Sequence, residues 1–277
     1  MKKTKIPFII IIQGLSWFLI CFFLIVITAR FIFLKAPIYV PGEPVSIWYF
    51  LLLFFLMTLL FFLLVRKVKS RIFFEAFLTL AVFAGLWFLC DIWLNSDLAV
   101  AAALLMTILK FFYKRIWWQN MVIVLGVSGI AISLGLSLPW ITGLALLMIL
   151  SFYDIAAVYA TGHMVQMFRG LIERGVIFAL ILPVKASWLG RSLKEVKPGE
   201  DFMLLGTGDL ALPGLFVASL VRENVTWAIF AAFGAMLGFI LMNIIFANQA
   251  QKRPMPALPL IAAGAVLGFV VAFVLKI

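Results

Sequence analysis

Asp154 and Asp209 are the residues of this chain whose type and setting could do chemistry, because each stands inside an apolar stretch long enough to cross a membrane. Holding a carboxylate at membrane depth costs roughly 2.5 to 3.5 kcal/mol on insertion scales, so intramembrane carboxylates mark functional positions. Two carboxylic acids at close range in a poorly solvated site cannot both ionise cheaply. One keeps a proton and the other acts as a base. The ionised member can take a proton from water as the water attacks a peptide carbonyl, and the protonated member can donate to the carbonyl oxygen. The sequence around the pair suits such a reaction. Gly206 and Gly208, in Gly206-Thr207-Gly208-Asp209, remove side chains beside the second aspartate and let a substrate backbone come close. Pro256, opening the last apolar run, lacks an amide proton and keeps the chain before it out of helical geometry.

The elements that must position these residues follow from composition. Hydrophobic residues fill 66% of the 277 positions, charged residues only 12%, and Phe alone accounts for 29. A soluble domain of this length has no use for so much apolar surface, which makes the expected class an all-α polytopic protein, multi-pass and integral to the cell membrane. Apolar runs at 8–28, 47–65, 73–93, 98–112, 121–138, 140–161, 202–221, 226–247 and 256–275 predict nine transmembrane helices. The run at 8–28 is too long for a signal peptide and is followed by no small-residue cleavage site, so it reads as a retained first helix.

The formal charge of +11 does not signal nucleic acid, because the basic residues fall in short clusters between apolar runs. With the N-terminus in the cytoplasm, the inner side holds Lys2, Lys3, Lys5, Arg66, Lys67, Lys69, Arg71, Lys110, Lys114, Arg115, Arg169, Arg174, Lys185, Arg191, Lys194, Lys197, Lys252 and Arg253. Only Arg30, Lys35, Arg222 and Lys276 remain outside. This bias predicts a cytoplasmic N-terminus and an external C-terminus. At 1.5 Å per residue, Asp154 lies about nine residues before the inner end of its helix and Asp209 about seven after the start of its own, each roughly 10 to 13 Å deep. Antiparallel neighbours would bring both carboxylates to one level.

The chain divides into residues 1–161 with the first aspartate, a cytoplasmic connection at 162–201, and residues 202–277 with the second aspartate. Within the connection, Met164 to Arg174 reads as an interfacial amphipathic helix and Lys185 to Asp201 as a polar loop. The segment Val176, Ile177, Phe178, Ala179, Leu180, Ile181 and Leu182 is too tightly bracketed by Arg174 and Lys185 to span. Short, apolar and ended by Pro183, it is expected to lie extended and to offer an edge to a substrate strand, with an interfacial anchor as the other reading.

Other residues read as structural. Cys21 and Cys90 make neither a zinc pattern nor a disulfide framework, and no metal or cofactor is expected. Gly234 and Gly238, like Gly264 and Gly268, have the spacing of helix-packing glycines, and Asn243 is expected to bond between helices. Gly126-Val127-Ser128-Gly129 could frame a serine nucleophile with His163 as base, but their depths differ by roughly 10 Å. His163, the single histidine, is expected at an interface, and one histidine cannot build an HExxH metalloprotease site.

Tyr153-Asp154, Gly206-Thr207-Gly208-Asp209 and Pro256-Ala257-Leu258 together resemble the YD, GxGD and PAL motifs of the presenilin and signal peptide peptidase family, in order and spacing. The short loops look like those of its archaeal members. Thr207 stands where Leu is usual, and Pro213-Gly214 is closer to signal peptide peptidases, while the charge bias gives the presenilin orientation. The resemblance implies a presenilin-like fold and an intramembrane aspartyl protease in which Asp154 and Asp209 are the catalytic pair. Tyr153, Gly206, Thr207, Gly208, Pro256, Ala257 and Leu258 would shape its active site. It also implies pairing of substrate with strands between the two catalytic helices. The partners are then a transmembrane-helix substrate and the lipid bilayer, with homo-oligomer formation left open. Two further readings use the same aspartates: a proton- or cation-coupled transporter or channel, and a prepilin-peptidase-like enzyme. A transporter should carry inverted repeats with interrupted helices, and no such internal pair is found in the sequence.

Overall fold

A computed structural model describes residues 8–35, 47–68, 70–160, 162, 166, 170–172, 176–177, 179–196, 201–249 and 254–277. Its helices are α1 (Phe8–Lys35), α2 (Ile47–Lys67), α3 (Arg71–Trp93), α4 (Ser96–Phe112), α5 (Ile116–Ser137), α6 (Trp140–Ile155), α7 (Gly208–Val221), α8 (Val225–Asn248) and α9 (Leu258–Val274). Among the described residues, five stretches are long and apolar enough to cross a membrane: Phe8–Lys35, Arg71–Trp93, Ile116–Ser137, Trp140–Ala160 and Val225–Asn248. Gly208–Val221 and Leu258–Val274 are shorter apolar helices. Capping sets several of the starts. Ser70 accepts from the Phe73 amide before α3, and Asn224 from the Thr226 amide before α8.

α5 is the hub of the bundle, with buried residues along its whole length from Ile116 to Leu136. It meets α3 through glycines. A Cβ on Gly85 would fall on the Gly126 carbonyl, and one on Gly129 would fall on the Gly85 carbonyl. It meets α1 where Ser128, fully buried, donates to Cys21 Sγ at 3.2 Å and to its own helix at the Val124 carbonyl at 2.8 Å. Ser128 is therefore a packing residue. The outward faces carry Phe23, Leu80, Leu237 and Val274, all exposed. Lipid tails are as apolar as Leu, so these faces lose nothing by facing the bilayer, and association must come from close packing and buried polar bonds.

α8 and α9 show the closest packing. A Cβ on Gly264 would land on the Gly234 carbonyl, one on Gly234 on the Gly264 carbonyl, and one on Gly268 on the Phe230 carbonyl. The spacing of these glycines lets two backbones touch. Gly264→Ala is expected to lower the thermal midpoint in detergent by the equivalent of about 1–3 kcal/mol or more, because the opposing atom is backbone and cannot swing aside. An unchanged midpoint would show that the two helices separate freely.

The fold departs from the expected all-α class in one place. β1 (Ala179–Pro183) and β2 (Phe202–Gly206) form an antiparallel pair, with Ala179 opposite Gly206, Ile181 opposite Leu204 and Pro183 opposite Phe202. The expected span at 202–221 therefore begins as a strand and becomes helix only at Gly208, because Gly206 and Gly208 are poor helix formers. The expected helix at 140–161 stops its α-helical winding at Ile155 and continues as a π-helical turn, Ala156–Ala160. Of the expected polar loop, Lys185 to Val196 carries regular turns. It makes 3₁₀ turns at Ala186–Gly190 and Leu193–Glu195, tied to the start of α5 by the Ile116 amide on the Arg191 carbonyl at 3.1 Å. Most of Met164 to Arg174, with His163, Phe178 and Lys197 to Glu200, lies outside the described residues. Asn243 also differs from expectation. Its amide donates at 2.8 Å to the Phe239 carbonyl one turn back in its own helix, rather than between helices.

Candidate active site

Both aspartates sit at helix ends rather than in mid-helix. Asp154 is in the last turn of α6, just before the π-helical turn, and is only 6% exposed. Asp209 is the second residue of α7, directly after β2 and Thr207, and is partly exposed. A hairpin leads into one of them and a π-helical turn follows the other. The two carboxylates lie within electrostatic reach of each other.

Backbone groups orient each one. The amide of Leu258, first residue of α9, donates to the Asp154 carboxylate. That amide is one of the helix-start N–H groups with no partner inside its own helix. Pro256 and Ala257 are buried beside it, and Pro259 occupies the first turn, so the motif aims a helix start at the first aspartate. Asp209 takes a hydrogen bond from the backbone of Gly206. Asp154 Oδ2 is buried and accepts no hydrogen bond among the described residues.

The glycines differ in what they make room for. A Cβ on Gly206 would sit 3.1 Å from Asp209 Oδ2, so its bareness protects the position of the carboxylate. A Cβ on Gly208 would meet nothing within 4 Å, and Gly208 is exposed. The space beside Gly208 is not filled by any of the described residues. Thr207 begins α7 with no side-chain cap, its carbonyl accepting from the Ala211 amide at 2.9 Å. Tyr153 is half-buried and meets Phe55 of α2 edge-on, with ring centres 5.6 Å apart.

The segment 176–182 is in part the strand β1, buried throughout, with Val176 and Ile177 buried ahead of it. The geometry assigns its edges. Asn120 of α5 takes both backbone groups of Ile181, with its Nδ2 donating to the carbonyl at 2.7 Å and its Oδ1 accepting from the amide at 2.9 Å. Ile181 therefore faces away from β2, and Leu180 and Leu182 make the ladder to Leu205 and Met203. By the same alternation Leu204 and Gly206 turn their backbone groups outward from β2. Among the described residues, no other segment bonds to the outward groups of Leu204. Gln13, Gln119 and Asn120, which hold β1, were not singled out from the sequence. Their signal was present: three carboxamides inside otherwise apolar helices need buried partners. Among the described residues no group of three His, Cys, Asp or Glu side chains could hold a metal ion.

Against known proteins, a family model described as signal-peptide peptidase, presenilin aspartyl protease matches residues 8–277. Signal peptide peptidase of Mus musculus is 31% identical over 134 residues, which is 46% of this chain and 32% of the mouse protein. The fold is similar to that of a presenilin family intramembrane aspartate protease solved in space groups C222 and P2. The TM-scores are 0.61 and 0.63 at 23% and 22% identity, with 94% and 93% of this chain and 94% and 96% of the other covered.

Proposed function

We propose, since this chain belongs to the signal-peptide peptidase and presenilin aspartyl protease family, that it hydrolyses peptide bonds within transmembrane segments of membrane-protein substrates. Asp154 and Asp209 would be the acid–base pair and a water the nucleophile. The observation that supports this most is the approach of the two carboxylates at the ends of α6 and α7, each tethered to backbone and, among the described residues, neither paired with a cation. The ionised carboxylate accepts a proton from water as the water oxygen bonds to the carbonyl carbon, and the other carboxyl gives its proton to the carbonyl oxygen. Collapse of the resulting gem-diol breaks the C–N bond as the proton taken from water passes to the leaving nitrogen and one diol hydroxyl returns its proton to the second carboxylate. The Leu258 amide and the bare Gly206 keep the two carboxylates in place, and Gly208 leaves room for the scissile backbone.

A peptide bond in a membrane helix is shielded by its own helical hydrogen bonds and must be unwound first. We place the added substrate strand on β2, against Leu204 and the Gly206 carbonyl, rather than on 176–182, whose outer edge is already occupied by side chains. β2 leads directly into Asp209, so a strand paired there runs past the carboxylates. Leu204→Pro removes an outward amide while sparing the ladder to β1. It is expected to slow cleavage by roughly tenfold relative to Leu204→Ala, about the worth of one hydrogen bond at the upper end of its net range. Equal rates in the two variants would remove strand addition from the mechanism.

The proposal extends to topology: nine spans, with the N-terminus in the cytoplasm and the C-terminus outside, supported by the distribution of Lys and Arg. Residues 1–161 and 202–277 would each bring one aspartate, and 162–201 would connect them on the cytoplasmic side. The deciding experiment incubates purified protein in detergent with single-span substrates of both orientations and identifies products by mass. Cleavage of neither orientation by folded protein would overturn the proposed activity.

A further inference from the structure

Among the described residues, β1 is laddered to a strand on one edge. On the other edge three carboxamides stand in for a strand. Asn120 exchanges two hydrogen bonds with Ile181, as an antiparallel partner residue would. Gln119 donates to the Ile177 carbonyl at 3.1 Å, and Gln13 of α1 donates to the Pro183 carbonyl at 3.3 Å. Pro183 has no amide proton, so the ladder ends there. All three side chains are buried, Asn120 completely. Burying an amide is costly unless its donor and acceptor are both used, and Asn120 uses both on one residue of one strand. The helix that carries it is the buried hub of the bundle, so the hairpin is fixed to the most constrained element of the fold.

We propose that Asn120 is a substrate-positioning residue: by closing the outer edge of β1 and fixing the hairpin to α5, it directs the substrate strand to β2 and sets its register against Asp209. This rests on the strand-addition reading above. Register matters because a strand has a period of two, so a slip that keeps the same face inward moves the cut by two residues. With Asn120 gone, the hairpin can slide relative to α5 and the edge of β1 is open to pairing, so substrate enters in more than one register.

The test uses the full chain in detergent, a single-span substrate, product masses, kcat and KM, binding of a hydroxyethylene peptide that mimics the tetrahedral intermediate, and a thermal melt. Asn120→Ala is expected to spread the cut sites by two residues and to lower kcat/KM by about tenfold, chiefly through KM. The mimic should still bind stoichiometrically, and the midpoint should fall only modestly, because the buried Ile181 amide and carbonyl lose their partner. Asn120→Asp keeps the acceptor for the Ile181 amide and is expected to restore a narrower set of cut sites. Wild-type cut sites in Asn120→Ala overturn the proposal. So does a loss of rate that merely tracks mimic binding and midpoint. If Asn120→Ala does not fold, Asn120→Leu, close to Asn in size and able to make neither bond to Ile181, takes its place on the same criterion. Wild-type cut sites beside an impaired Leu204→Pro would sink the clamp alone, whereas an unimpaired Leu204→Pro would sink strand addition itself.

Discussion

Asp154→Asn and Asp209→Asn are each expected to give a folded protein whose cleavage of transmembrane substrates falls by about a hundredfold or more. Positioned acid–base groups contribute about 10²–10⁴-fold to such reactions, and this mechanism asks each carboxyl both to hold and to release a proton. The substitution preserves shape and one acceptor oxygen, so the Leu258 amide keeps a partner at position 154 and the Gly206 backbone keeps one at 209. Loss of activity would thus report proton transfer and not collapse of the site. The check is product formation over long incubation alongside a thermal melt of each variant. Residual activity above about a tenth of wild type in either one, with the fold intact, would break the assignment of a two-carboxyl mechanism, because neither role can be filled by an amide.

Gly208→Leu should lose nearly all activity while keeping its melting temperature. Nothing within 4 Å awaits a Cβ at this position, and the residue is exposed at the start of α7, so the fold has no reason to object. The obstruction would fall on the substrate, whose backbone must pass the same point to reach Asp209. Gly208→Ala is the milder companion and should retain part of the rate. A Leu variant that cleaves at the wild-type rate would mean that the substrate passes elsewhere. A variant that melts early would mean that the glycine serves the helix start instead.

Most of the architecture could be read from apolar run length, because in a bilayer every backbone polar group must be satisfied within the segment and helices result. Each of the nine apolar runs coincides with one of the helices α1 to α9. The exception at 202–206 has a physical cause. Leu204 and Leu205 are as apolar as any helix residue, so hydropathy cannot distinguish a strand from a helix there, and only Gly206 and Gly208 signal the change. Asp154 and Asp209 stood out because charge is rare in such a sequence. Asn120 did not, because an amide in an apolar helix has many uses and its partner, Ile181, is 61 positions away. Asn243 shows the reverse: the residue type suggested a bond between helices, whereas its Nδ2 donates one turn back and its Oδ1 accepts no hydrogen bond among the described residues.

The glycine contacts between α8 and α9 also have a mechanical consequence. Two helices whose backbones touch at Gly234, Gly264 and Gly268 cannot slide or bend past each other without losing those contacts. They behave as a single stiff beam. The end of that beam, at Leu258, is what touches Asp154. Admitting a bulky helix between the two carboxylates therefore cannot be accomplished by flexing the beam. Movement is then expected on the other side of that contact, where α6 changes to π-helical winding at Ala156, two residues past its aspartate.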